Sequence, residues 1–97
     1  MKAIFEVEEF IRYLGREFRR KRNAQGKTLE QVGFDLDVSP SYIGKIERAE
    51  LINLSLYMYM RLARYYNIQI DTITHKARLA HEQDAREGIS FKDSKSE

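Results

Sequence analysis

The sequence predicts an all-α protein of one domain. Apolar residues recur at spacings of three and four along most of the 97-residue chain, which is the period of an amphipathic helix. The period-two alternation that marks β-strands is absent, and only one proline interrupts the helical pattern. A chain of this length has room for a single core, so we predict five helices packed around it.

The first predicted helix runs from about Glu8 to Asn23. Its apolar residues lie on one side of the helix, and Gly26 follows as the residue that ends it, because glycine readily adopts a left-handed backbone. The apolar stripe consists of Val7, Phe10, Ile11, Leu14 and Phe18.

The second predicted helix runs from Leu29 to about Leu36. Thr28 precedes it as an N-cap, and Gln31 stands three residues later, which is the spacing of a capping box. Asp37 ends the helix, because aspartate tolerates the left-handed backbone of a tight turn better than most residues other than glycine.

The third predicted helix begins after a turn of only three residues. Ser39 is a good N-cap, and Pro40 suits the first helical position, where no amide donor is needed. The helix continues to about Arg48, with Ile43 and Ile46 turned toward the core. Two short helices joined so tightly must cross at a steep angle, which is the helix-turn-helix geometry.

Two further helices complete the predicted domain. The fourth is capped by Ser55 and runs to about residue 66, and the fifth covers residues 70–87. We therefore predict a folded domain over residues 1–88, and a disordered tail over residues 89–97.

The fourth helix carries more apolar residues than one core-facing side can use. The helical spacing assigns five of them to the core: Leu56, Tyr59, Leu62, Ala63 and Tyr66. The others, with two residues of the preceding link, form a surplus: Leu51, Ile52, Tyr57, Met58, Met60 and Tyr65. Aromatic residues and methionine at a surface favour a protein–protein interface, although a wider core would also use them.

Basic residues are concentrated near the end of the first helix. The net charge of the chain is only +2, yet seven bases and a single acid, Glu17, lie in the segment from Arg12 to Lys27. The bases are Arg12, Arg16, Arg19, Arg20, Lys21, Arg22 and Lys27. Such a band suits a surface that faces phosphates, and from charge alone a solvated helix face is an equal alternative.

Several classes of protein are disfavoured by the composition. No apolar run approaches the ~18 residues of a membrane span, and the acids near the start argue against a signal peptide. The chain has no cysteine, and His75 and His81 have no matching third ligand nearby, so we predict no metal site. Paired carboxylates, a phosphate-binding glycine loop and a nucleophile–base set are missing. We expect a cytoplasmic protein that is not an enzyme and needs no cofactor.

Two segments resemble the Xre family of helix-turn-helix regulators, which includes phage Cro-like and CI-like repressors. The first is LEQVGFDLDVSPSYIGKIER, residues 29–48. The second is NLSLYMYMRLARYYNIQIDTI, residues 53–73, which resembles the family's following helix and the start of its fifth. The resemblance covers residues 11–73 and implies a compact lambda-repressor-like fold. It also implies a homodimer that binds double-stranded DNA at an inverted repeat and represses transcription.

The resemblance assigns roles to the third helix. Ser41 and Lys45 match positions that read base edges in the major groove, and Pro40 occupies another, where it offers only an apolar contact. The spacing of Ser41, Lys45 and Arg48 places them on one helix face, opposite the apolar residues. Together with the basic band and the start of the second helix, this predicts phosphate contacts from Arg19, Lys27, Thr28, Tyr42 and Arg48.

Other positions match structural features of the family. Arg22 and Glu47 correspond to an Arg–Glu pair that links the first helix to the end of the third, although Arg22 also fits the basic band alone. The dimer interface is expected at Leu51, Ile52, Tyr57, Met58 and Tyr65. Five positions depart from the family pattern. Leu29 replaces a phosphate-binding glutamine, Gly33 an alanine, Asp37 the turn glycine, Ala49 a glycine and Leu54 the proline before the fourth helix.

An adaptor that has this fold but does not bind DNA is the competing interpretation. Leu29 and the apolar fourth helix favour it, whereas the basic band, Lys45 and Arg48 favour DNA. The sequence indicates no small-molecule pocket, so dose, proteolysis or a protein antagonist would control activity. A phage repressor, a restriction-modification controller and a self-repressing antitoxin all remain open as biological settings.

Overall fold

The computed structural model describes residues 2–88, with side chains from residue 7 onward. Within this part of the chain all regular structure is helical, so the predicted fold class is confirmed. The helices are α1 (Lys2–Ala24), α2 (Leu29–Leu36), α3 (Pro40–Glu47), α4 (Leu56–Tyr65) and α5 (Ile70–Arg86). The tail predicted over residues 89–97 lies outside the described residues.

The helix starts follow the predicted caps. Thr28 Oγ1 accepts a hydrogen bond from Gln31 N at 3.0 Å, and Thr28 N donates to Gln31 Oε1 at 2.8 Å, which completes the capping box of α2. The hydroxyls of Ser39 and Ser55 cap α3 and α4 by accepting hydrogen bonds from Tyr42 N at 3.0 Å and from Met58 N at 3.2 Å. The exception is α1, which begins at Lys2 rather than near Glu8.

A residue other than glycine takes a left-handed backbone at the ends of three helices. Asp37 has a φ of 61° and ends α2, as predicted. Ala49 and Asn67 follow α3 and α4 with φ angles of 58° and 59°. Ala49 stands where the family usually has glycine, so an L side chain here occupies a conformation that disfavours it.

The core contains buried apolar residues from all five helices. Its largest fully buried side chains are Phe18, Val32, Ile43, Leu62 and Tyr66. The helices α1 and α5 run antiparallel, so the N-terminal half of α1 lies beside the C-terminal half of α5. Tyr13 OH donates to Asp84 there, and Glu9 Oε1 is 3.1 Å from His81 Nε2.

The predicted core side of α4 is partly wrong. Leu56 is 66% exposed, whereas Met58, predicted as surplus apolar surface, is only 5% exposed. Leu62, Ala63 and Tyr66 are buried as predicted. Met58, Leu62 and Tyr66 form one ridge at a spacing of four, and Leu56, as the first residue of the helix, lies outside that ridge.

Two glycines allow close contact between helices. A Cβ at Gly33 would lie 2.7 Å from Val38 O, so the turn after α2 passes too close for the family's usual alanine without a shift. A Cβ at Gly15 would lie 2.6 Å from Glu47 O and 2.8 Å from Ile46 O. The backbone of α1 is therefore pressed directly against the C-terminal end of α3.

Candidate nucleic-acid interface

The outer face of α3 is polar and accessible. Pro40, Ser41, Lys45 and Arg48 are exposed, and Tyr42 is half-buried at the edge of this face. The opposite face is anchored in the protein by Ile43, Gly44, Ile46 and Glu47, all buried. The helix therefore presents side chains outward from a fixed backbone. Among the described residues, no side chain bonds to Ser41 or Lys45.

The start of α2 lies against the C-terminal half of α3. A Cβ at Gly44 would be 3.7 Å from Leu29 Cδ1 and 3.0 Å from Arg48 Nη1. Leu29 thus packs on α3 where the family's glutamine would reach a phosphate. The same contact brings Thr28 and Arg48, two of the predicted phosphate-binding residues, to one end of the α3 face.

Lys27 is held by contacts on both its backbone and its side chain. Its carbonyl oxygen accepts a hydrogen bond from Arg22 Nη1 at 2.9 Å, and its Nζ lies 5.3 Å from the centre of the Tyr65 ring. Tyr65 OH in turn donates to Asp35 Oδ2 at 2.6 Å. The cation–π contact leaves the ammonium hydrogens of Lys27 able to reach an anion.

Tyr65 is occupied by these contacts within the chain. Burial, and then the hydrogen bond to Asp35, raise the pKa of the Tyr65 hydroxyl to about 12. Tyr65 therefore joins α4 to α2, on a different side from the exposed apolar residues of α4. The sequence gives no sign of this contact, because Asp35 and Tyr65 are thirty positions apart.

The other residues predicted to bind phosphate differ in the hydrogen-bond donors that they can offer to an anion. Thr28 already accepts the Gln31 amide, so only its hydroxyl proton remains for an anion. Arg19 is exposed on α1, in the basic band. Its neighbour Arg20 instead forms an ion pair with Glu17, with Nη1 and Oε2 3.0 Å apart.

Arg22 and Glu47 form the ion pair that links α1 to α3. Arg22 Nε and Nη2 donate to the two carboxylate oxygens of Glu47 at 2.7 Å and 3.0 Å. The side chains are only 12% and 5% exposed. The hydrogen bond to Glu47 raises the pKa of the Arg22 guanidinium, against the opposing effect of burial. Because Arg22 also binds the Lys27 carbonyl, one side chain ties together α1, the loop before α2 and the end of α3.

A second arginine–glutamate pair, which the sequence did not reveal, lies just beyond α3. Arg48 Nε donates to Glu50 Oε2 at 2.8 Å, and the two side chains are 55% and 50% exposed. This hydrogen bond raises the pKa of the Arg48 guanidinium. Arg48 is thus brought to the α3 face together with a carboxylate.

Another hydrogen bond that the sequence did not reveal anchors the end of α2. Arg61 Nη2 donates to Leu36 O at 2.8 Å, and its guanidinium carbon is 5.8 Å from the centre of the Tyr57 ring. The orphan carbonyl of Leu36 is satisfied by α4 in this way. The long spacing between the two residues hides the contact from any local pattern.

The residues predicted for a dimer interface do not gather on one surface. Met58 is in the core, and Tyr65 contacts α2. Leu51 and Ile52 line a hollow beside α3, together with Tyr42. Tyr57 is 71% exposed, and Leu56 and Met60 are the neighbouring apolar residues that α4 exposes.

Among the side chains that the structure describes, residues 7–88, no three or more acidic or histidine side chains are arranged to hold a metal ion. None of the helices in this part of the chain is both long enough and apolar enough to cross a membrane.

The fold and the α3 surface together define a helix-turn-helix protein. A capped α2, a left-handed Asp37 and a capped α3 are held by α1, and α3 presents a polar outer face. The helix-turn-helix family model matches residues 18–73, more than half of the chain. The chain belongs to this Xre-like, Cro-type family, and is a DNA-binding transcription regulator. Comparison with curated proteins finds no match for the chain.

Proposed function

We propose that the protein is a cytoplasmic, homodimeric repressor that reads an inverted repeat in double-stranded DNA through the major groove. The single observation that carries this proposal is the exposed polar face of α3 on a helix whose other side is buried. Each subunit would place one α3 in the groove, with the half-sites about one helical turn apart.

Base reading falls to the three residues at the outer face of α3. Lys45 donates to guanine O6 or N7, and Ser41 serves either kind of base through its hydroxyl. Pro40 contributes an apolar contact, such as one to a thymine methyl group. All three are exposed, and Lys45 lies one helical turn beyond Ser41.

Phosphate contacts would fix the register of α3 in the groove. Lys27 and Thr28 lie at the N-terminus of α2, where the helix dipole favours an anion. Arg48 ends the α3 face, Tyr42 flanks it, and Arg19 extends the contacts onto α1. Such contacts supply affinity that depends strongly on salt but not on sequence.

The dimer would form through the exposed side of α4. Leu56, Tyr57 and Met60 are accessible there, and this composition is typical of protein interfaces. We propose a second copy of the chain as the partner, because an inverted repeat has a two-fold axis and a two-fold dimer uses the same patch on both subunits.

Selection from a randomised duplex pool, followed by salt titrations, tests the DNA proposal. We expect a two-fold symmetric site, with an affinity that falls steeply as salt rises. Lys45→Ala should relax base preference at particular positions, whereas Lys76→Ala, an exposed lysine on α5, should leave the preference unchanged. Absence of an enriched sequence, with weak binding at every salt concentration, would favour the adaptor function instead.

Sedimentation of single-site variants tests the dimer separately. Tyr57→Glu places a charge on the exposed side of α4, and we expect it to sediment as a monomer that prefers no spacing between half-sites. Leu79→Glu, at another exposed apolar position on α5, is the matched control and should remain dimeric. If Tyr57→Glu sediments like the wild type, α4 does not form the interface.

A further inference from the structure

We propose that Glu50 controls the affinity of the recognition surface by competing with DNA phosphate for Arg48. This inference rests on the DNA-binding function proposed above. In the free protein the Arg48 guanidinium is already bonded to a carboxylate, with Nε and Oε2 2.8 Å apart. A phosphate must displace that carboxylate before it can bind Arg48 through the same Nε.

The backbone after α3 fixes Glu50 in this position. Ala49 takes a left-handed conformation with a φ of 58°, which reverses the chain direction directly after the helix. Glu50 N then donates to Lys45 O at 2.8 Å, a hydrogen bond that returns to the last turn of α3. The carboxylate of Glu50 therefore stands at the end of the base-reading face.

The exposure of the pair makes exchange with an external anion feasible. Both side chains are about half exposed, so water can solvate each charge when the ion pair opens. A carboxylate and a phosphate present similar oxygen acceptors to a guanidinium. Arg48 can therefore change partners without movement of the buried residues of α3.

The exchange has a measurable consequence for salt dependence. When Arg48 binds a phosphate, the DNA releases a condensed cation, but the Glu50 carboxylate loses its contact with the guanidinium and attracts cations more strongly than before. The net ion release is then smaller than the number of phosphate contacts implies. Because Arg48 is proposed to bind a phosphate and not a base, the competition lowers the affinity for every sequence, and a duplex of unrelated sequence shows the effect without base contacts.

Titration of Glu50→Gln against duplex DNA at several salt concentrations tests the proposal. We expect the affinity for a duplex of unrelated sequence to rise about two- to fivefold, as expected for release of a surface ion pair. We also expect the slope of log affinity against log salt to steepen, by at most about 0.9. Glu82→Gln, which removes an exposed acid from α5, is the matched control and should reproduce neither change.

The variant Glu50→Gln combined with Arg48→Ala separates competition from general repulsion. If Glu50 acts through Arg48, the double variant binds duplex DNA with the same affinity and the same salt slope as Arg48→Ala alone. If the gain persists without Arg48, or if Glu50→Gln matches the wild type, the proposal is overturned while DNA binding stands. If the wild-type protein itself shows no salt-dependent affinity for duplex DNA, both the inference and the proposed function fail.

Discussion

Two arginine–glutamate pairs flank the end of α3, and they differ in almost every physical respect. Arg22 binds Glu47 through two hydrogen bonds, with both side chains buried. Arg48 binds Glu50 through one, with both side chains half in water. The same chemical groups therefore form an architectural contact on one side of the helix and an exchangeable contact on the other.

The difference shows that burial, more than pairing, decides what an ion pair contributes. A buried charge that loses its partner cannot return to water, so the intact pair enforces one arrangement of α1 and α3. An exposed charge that loses its partner is solvated at once, so the pair contributes little to stability and remains available to ligands. Substitutions at the buried pair should therefore change stability far more than substitutions at the exposed pair.

Glu47→Ala should be the most destabilising change. It leaves the Arg22 guanidinium buried without its carboxylate, and breaking a buried pair in this way lowers the free energy of unfolding by about 3–5 kcal/mol. Urea denaturation followed by circular dichroism measures the loss. The double variant Arg22→Met, Glu47→Leu should recover part of it, because no orphan charge remains. A Glu47→Ala protein as stable as the wild type would contradict the architectural role.

Gly15→Ala should destabilise less, by about 1–3 kcal/mol, because its Cβ would press on the carbonyl oxygens of Ile46 and Glu47. Gly44→Ala, in α3, is the matched control. Its Cβ would lie 3.0 Å from the Arg48 guanidinium, which can move into solvent, and 3.7 Å from Leu29 Cδ1, which is an ordinary contact distance. We expect Gly44→Ala to gain about 0.5–1 kcal/mol from helix propensity in the same denaturation assay. Equal effects from the two changes would contradict the difference in packing.

Ala49→Gly should stabilise the protein by about 0.5–1 kcal/mol. Ala49 lies between Arg48 and Glu50 and has a left-handed conformation. This conformation has a higher free energy for an alanine than for a glycine. Part of the gain is offset, because the buried methyl group is lost. A thermal melt measures the effect, with Gly26→Ala, at a φ of 68°, expected to shift the midpoint in the opposite direction. A lower midpoint for Ala49→Gly would show that burial of the methyl group dominates.

Glu50→Gln should have the smallest effect on stability. The ion pair that it removes is solvated on both sides, so we expect its urea midpoint to coincide with that of the wild type. The urea midpoints of Glu50→Gln and Glu47→Ala, measured in the same buffer, compare the contributions of the exposed and the buried pair to stability. A large loss of stability would place Glu50 among the architectural residues and not among the exchangeable ones.

The sequence predicts much of the fold because local chemistry decides the helix ends. Thr28, Ser39 and Ser55 can each be recognised as caps from their neighbours, and Asp37 as a turn residue. The start of α1 could not be found in this way. The apolar stripe used for the prediction begins at Val7, and the residues from Lys2 to Glu6 include no typical capping residue that would mark an earlier start.

The candidate site was predictable only where spacing along one helix defines a face. Ser41 and Lys45 are exposed together for this reason. Glu50 and Tyr65 could not be assigned their contacts with Arg48 and Lys27, because these depend on a backbone reversal and on packing between distant helices. The prediction for Met58 was wrong because two neighbouring faces of α4 would both bury Leu62 and Tyr66. The two faces differ only in the first turn of the helix, where Met58 is buried and Leu56 is exposed.

Because Arg22 and Gly15 contact the end of α3, the α2–α3 segment depends on residues of α1 and cannot be moved to another protein by itself. A fragment that starts at the cap of α2 would lack both residues, and Glu47 would face a new scaffold with an unmatched negative charge. A chimaera that contains the α2–α3 segment must therefore also contain a neighbouring helix with a glycine and a basic residue seven positions apart. Two of the residues that determine how α3 is held thus lie in α1, outside the α2–α3 segment.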